Sequence, residues 1–272
     1  MIHIRSDAEI AKMRAAGLVV ESTLSALRAA VTPGISTAEL DAIAEKSIRD
    51  AGAVPSFKGY QGFPASICAS VNHQVVHGIP SDRQVLADGD VISIDCGAIL
   101  DGWHGDSAVT VPIGAIPDDA AKLIADCEES MWRGLAAVRD GARLSDIGHA
   151  IESYVRGAGA YGLVEEYGGH GIGTEMHMEP FIPNYGRPGK GMQLRPGMCF
   201  AIEPMINLGT AQTDLLDDGW TVETKDGALS AHFEHTVALT EDGPWVLTAR
   251  DGGRAALERL GVPNGANRDP GR

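Results

Sequence analysis

The sequence predicts an α+β fold made of two similar halves, with a curved antiparallel sheet and helices on its outer face. Three observations carry this. In each half, two segments with apolar residues at helical spacing precede a strand-rich, turn-rich stretch. LADGDVISID at 86–95 aligns with LRPGMCFAIE at 194–203 and pairs Asp95 with Glu203. VTPGISTAELDAIAEKSIRDAGA at 31–53 aligns with VRDGARLSDIGHAIESYVRGAGA at 138–160, keeping Leu40 with Ile147 and Ile48 with Val155 in helical phase.

The first helix starts at a capping box, Ser6 with Glu9, and carries Ile10, Met13, Val20, Leu24 and Leu27 before Pro33-Gly34 stops it. Thr37 is the expected cap of a second helix through Leu40, Ile43 and Ile48. A strand ending at Asp95 follows, then a Gly-rich reversal and a second strand through Asp106. The second half repeats the plan, with helices through Leu123, Met131 and Leu135 and from Ile147 to Val155. A strand then ends at Glu203, and another opens at Glu234. Continuing the match, HGIP at 77–80 pairs with HGIG at 170–173, and Asp106 with Glu234. Each half thus brings one His and two carboxylates in the same order, and a pseudo-twofold arrangement would bring these triplets face to face. The halves, about 1–110 and 111–250, read as one domain sharing a core, because no linker separates them. Residues 251–272, rich in Gly, Asn, Asp and Arg, read as a flexible tail.

Four carboxylates and an imidazole, Asp95, Asp106, His170, Glu203 and Glu234, sit in or beside apolar strand runs. Isolated buried carboxylates are costly unless paired, protonated or bound to metal. Gathered in one concave site they would repel one another strongly unless divalent cations stood between them. Oxygen-rich ligation with one imidazole suits Co, Mn, Fe or Zn, and two such ions sharing carboxylates can activate one water for hydrolysis.

The formal charge of −15, from 22 basic and 37 acidic residues, leaves no basic stripe for a phosphate backbone, so nucleic-acid binding is not expected. Arg187, Lys190 and Arg195 in a Gly/Pro-rich loop are the nearest candidates for a basic patch. Cys68, Cys96, Cys127 and Cys199 show no CxxC pairing, which fits a reducing compartment. Neither a signal peptide nor a transmembrane run is evident, so the expectation is a cytoplasmic protein without a membrane partner, by default a monomer.

The blocks CASVNHQVVHGIP, ISIDCGAILDGWHGDSA, GGHGIG, FAIEPM and DGWTVETKDGALSAHFEHT, in this order from about residue 5 to 250, resemble methionine aminopeptidases of type I. The resemblance implies the pita-bread (creatinase/aminopeptidase) fold and two divalent metals. It also implies a single catalytic domain that removes the initiator methionine from nascent chains with a small second residue, through a water between the metals. By that resemblance Asp95, Asp106, His170, Glu203 and Glu234 are the metal ligands, with Asp106 and Glu234 bridging and Glu203 handling the proton. His77 and His177 take substrate roles, His77 near the scissile amide and His177 at the substrate carbonyl or amide nitrogen. Tyr60, Phe63, Cys68, Met176 and Trp220 match positions lining the methionine pocket, and Met176 stands where bacterial relatives commonly carry an aromatic. His104, His232 and His235 adjoin ligands and are expected to support them. Without the N-terminal extensions of some relatives, any ribosome association is expected to be weak and to use the domain surface. Two other readings compete: a proline-specific peptidase of the same fold, which normally carries an extra N-terminal domain, and a metal-free binding protein.

Overall fold

A computed structural model describes residues 2–268 of the chain. The first half runs α1 (Asp7–Ala30), α2 (Thr37–Asp50), β1 (Val54–Pro55), β2 (Ile67–Val71), β3 (Gln74–Val76), β4 (Val91–Leu100) and β5 (Trp103–Pro112). The second begins with α3 (Asp118–Ala136) and α4 (Leu144–Ala158), then β6 (Gly162–Leu163), β7 (Gly169–Gly171), β8 (Met178–Ile182), β9 (Cys199–Ile202) and β10 (Met205–Asn207). It closes with β11 (Thr213–Leu215), β12 (Val222–Thr224), β13 (Ser230–His232), β14 (Glu234–Thr240), β15 (Gly243–Val246) and α5 (Arg254–Arg259).

The principal sheet of the described residues has nine strands in the order β1-β4-β5-β14-β9-β7-β8, with β2 also on β4 and β15 on β14. Its pairings are antiparallel. The halves meet where β5 pairs β14, Glu234 opposite Ala108 and His235 opposite Ser107. On one side of this seam lie β4 and β2, on the other β9 and β7, so the duplication read from the sequence appears as a matched strand order. This is the pita-bread fold.

Local chemistry explains the elements. Ser6 and Glu9 form the expected capping box on α1. On α2 the box is Ser36 with Glu39, so Thr37 is the first helical residue and not the cap; Ser36 has the extended backbone a cap requires. Asp101 and Gly102, both at positive φ, make the two-residue turn joining β4 to β5, where the left-handed conformation matches the strand twist. Because β4 continues to Leu100, Asp95 lies mid-strand instead of ending it.

Gly17 of α1 lies against the backbone of β5: a Cβ on Gly105 would stand 2.7 Å from the Gly17 amide nitrogen. One apolar cluster includes Leu27, Leu40, Ile48 and Ile94 from the first half and Leu123, Ile147, Val155 and Phe200 from the second. Burying each such side chain stabilises the fold by about 1.5–3 kcal/mol, and the two halves contribute to one shared cluster.

The segment expected to be a loose tail packs instead. Leu257, Val262 and Ala266 are buried, and the Asn264 side-chain amide donates to the Gly252 carbonyl. Residues 269–272 lie outside the described residues. No helix among the described residues is long and apolar enough to cross a membrane.

Candidate metal centre and its pocket

Asp95 sits on β4 facing Cys68 on β2 and Ala108 on β5, while Asp106 on β5 lies opposite Gly97. Thr236 fastens Asp106 to the second half: its Oγ1 accepts from the Asp106 amide at 3.1 Å and donates to the Asp106 carbonyl at 2.8 Å. Glu234, two residues earlier on β14, is thereby held beside Asp106 across the seam. Asp106, His170 and Glu234 offer ligand atoms within 4.8 Å of one another. His170 Nε2 is 3.5 Å from Glu203 Oε1 and 4.0 Å from Asp106 Oδ2, and the Asp95 and Asp106 carboxyls share a hydrogen bond. All five predicted ligands converge.

The charge balance of this cluster is abnormal without a cation. Burial raises the Asp95 carboxyl to about 7 and Glu203 to about 8; burial and neighbouring carboxylates push Asp106 and Glu234 well above the usual range. Asp95 Oδ1, Asp106 Oδ1 and Glu234 Oε1 are buried with no hydrogen-bond partner. Burial lowers His170 to about 3, so its ring is neutral, and Nδ1 lies 2.9 Å from the Gly171 carbonyl. With Nδ1–H donating there, the Nε2 lone pair is aimed at carboxyl oxygens, so a proton or a cation is needed between them. Divalent cations would satisfy these atoms, and the donor set fits such ions.

The supporting histidines divide. His232 Nε2 stands 3.6 Å from Glu203 Oε2, and His104 Nδ1 is 3.0 Å from Ser56 Oγ beneath the site. His235, expected beside the ligands, instead projects to the helical side: strand alternation turns it away from Glu234, toward Thr248 Oγ1 at 2.8 Å and the Trp132 ring.

Above the cluster is an apolar cavity of about 170 Å³, walled by Phe57, Tyr60, Phe63, Cys68 and Trp220 and floored by Asp95, Asp106, His170, Glu203 and Glu234. Phe63 and Trp220 meet edge to face at 5.1 Å. Met176 is buried in the same apolar cluster but stands behind this wall. Phe57 and Gln61, not anticipated as lining, face the cavity. Phe57 is admitted by Gly97, where a Cβ would stand 2.9 Å from its ring. The aromatic spacing of SFKGYQGF was the available signal.

His77 and His177 both line the cavity. His177 Nδ1 is 3.0 Å from the Tyr60 hydroxyl, and its ring packs 4.4 Å from that of His170. The repeat places His77 differently from the sequence alignment. Gly78, next after His77, accepts from the Ala69 amide on β2, and Met178, next after His177, pairs with Gly171 on β7. The counterpart of His77 is therefore His177, not His170. From the cavity a cleft of about 600 Å³ opens outward, sharing His77, His170, His177 and Glu203 with it.

Residues 11–241 match the model of Metallopeptidase family M24. Methionine aminopeptidase 1 of Mycobacterium tuberculosis is 56% identical over 249 residues, 90% of this chain and 94% of that protein. The crystal structure of methionine aminopeptidase from Rickettsia prowazekii superposes with a TM-score of 0.90 at 44% identity, covering 92% of this chain and 100% of that one. A prolidase from Pyrococcus furiosus shares the fold alone, at 22% identity and a TM-score of 0.73 over 90% of this chain and 65% of its own. With the family model spanning most of its length and identity of this extent to such enzymes, the chain belongs to metallopeptidase family M24 and, within it, to the methionine aminopeptidases.

Proposed function

We infer that this chain removes the N-terminal methionine from nascent polypeptides with a small second residue, as a hydrolase dependent on two divalent ions. The observation that carries this is the apolar-walled cavity floored by buried carboxylate oxygens that lack hydrogen-bond partners, beside a neutral imidazole. Asp95, Asp106, His170, Glu203 and Glu234 would hold the ions, Asp106 and Glu234 being fastened beside each other across the seam. Ions of the Co, Mn, Fe or Zn class supply Lewis acidity there, lowering the pKa of water and polarising the scissile carbonyl.

The chain's own residues supply the rest. The cavity takes one flexible apolar side chain, which suits methionine among aromatic rings and the Cys68 sulfur. Because the cavity is floored by carboxylates, a free α-amino group finds its counter-charge at its inner end, and the peptide leaves only through the cleft. That geometry favours an exopeptidase. Glu203 lines both spaces and takes the proton from the attacking water and delivers it to the leaving amine. His177, oriented by Tyr60, faces the substrate carbonyl, and His77 the scissile amide. A second-residue side chain stands among the residues shared by cavity and cleft, where a small one fits. Glu203→Gln tests this: turnover on Met-Ala-Ser is lost with only modest loss of metal, and unchanged turnover rejects the role.

A further inference from the structure

We propose that the outward cleft selects substrates by charge, favouring lysine or arginine at the third position and beyond and disfavouring aspartate or glutamate there. This rests on the aminopeptidase reading, which fixes the methionine in the cavity and sends the following residues along the cleft.

Beyond the residues it shares with the cavity, the cleft is lined by Glu166, Glu175 and Glu179 with Tyr167, Phe181 and Met178; against these three carboxylates stand His3, and Arg5 3.4 Å from the Met178 sulfur, with no lysine or arginine in the lining itself among the described residues. Glu166 is held by a hydrogen bond from Thr213 Oγ1 at 2.5 Å. The ion pairs among the described residues leave Glu175 and Glu179 without a basic partner. Carboxylates scattered over an acidic surface mean little by themselves. These stand in the path leading from the reacting bond, and an aromatic ring is presented among them. Phe181 is 48% exposed, two residues from Glu179 on β8, the last strand of the principal sheet.

A ring beside carboxylates matches a side chain with an apolar stem and a cationic head. The stem of lysine or arginine covers Phe181 while its head reaches Glu179 or Glu175. An acidic side chain beside Glu175 and Glu179 meets like charge. Exposed pairs each contribute little, but three carboxylates that attract one substrate and repel another separate the two by about tenfold.

The test uses metal-loaded enzyme and three amidated peptides, Met-Ala-Lys-Gly, Met-Ala-Gln-Gly and Met-Ala-Glu-Gly. At low ionic strength kcat/KM should fall in that order, about tenfold from first to last, chiefly through KM, and the spread should shrink in high salt. The double substitution Glu175→Gln with Glu179→Gln should lower kcat/KM on the lysine peptide and raise it on the glutamate peptide; misfolding would lower both. Equal rates on the three peptides, or a double variant with the original ratio, would overturn charge selection while leaving the aminopeptidase reading intact. Failure to cleave even the glutamine peptide would overturn that reading, and this proposal with it.

Discussion

His170 Nε2 stands 3.5 Å from Glu203 Oε1, with its Nδ1 committed to the Gly171 carbonyl. A neutral imidazole in that tautomer can only accept at Nε2, so the pair needs either the proton that buried Glu203 retains or a cation between them. Replacing His170 with Ala should weaken metal binding by at least about 100-fold, more than loss of a supporting residue does, and remove activity at limiting metal. Isothermal titration of the metal-free variant checks it; wild-type affinity would mean that the ring is not a ligand.

The pH dependence of the metal-free protein follows from the same cluster. Folded Asp95 and Glu203 keep protons, to about pH 7 and 8, that the unfolded chain releases near 3.8 and 4.5. The folded form therefore binds more protons, and stability is lost as pH rises through those values. Buried histidines work oppositely: burial lowers His77, His104 and His232 to about 4 and His170 and His235 to about 3. Their contribution, present above 6.5, is lost as pH falls toward the folded values. Between pH 6.5 and 8 the unfolded histidines lose only the remaining half of their protons while the buried carboxylates lose theirs, so the carboxylates dominate and thermal unfolding of metal-free protein should shift to lower temperature across that window. Apparent metal affinity should rise over it, because binding displaces those protons. A metal-free melting temperature that climbs from pH 6.5 to 8 would contradict this.

The contact between Gly17 and Gly105 predicts a stability effect remote from the chemistry. Gly105→Ala places a methyl 2.7 Å from backbone in α1 and should cost about 1–3 kcal/mol of stability, read by urea unfolding, through displacement of the helix from β5. An unaltered midpoint would show that the helix yields without strain.

Pocket shape predicts a split between binding and turnover. Trp220→Ala removes the ring that meets Phe63 and should raise KM for methionyl peptides by about tenfold or more, with a smaller change in kcat, since the ring touches the side chain and not the reacting bond. Met176→Leu, behind the wall, should leave KM within about twofold, because a volume-conserving change there is absorbed by packing.

Much of this site was legible in the residues. The carboxylates at strand-like runs and the internal repeat led to Asp95, Asp106, Glu203 and Glu234, and the seam between β5 and β14 joins the strands that carry Asp106 and Glu234. Identity of a short motif misled where geometry decides: HGI recurs at 77 and 170, yet only His170 lies in a strand paired with β9. Asp95 looked like a strand end because it is the first charge after an apolar run, although a strand facing a metal site carries a carboxylate at its middle. The packed segment after Gly252 escaped because its buried residues, Leu257, Val262 and Ala266, are widely spaced in polar sequence. Phe57 depended on a contact with Gly97 made only by folding.

The most direct measurement is methionine release from Met-Ala-Ser, against cleavage of Ala-Pro-Ala, by metal-stripped protein titrated with Mn, Fe, Co or Zn. The account predicts no activity without metal and selective, metal-restored release of methionine. Cleavage only before proline, or no cleavage with any of the metals, would contradict it.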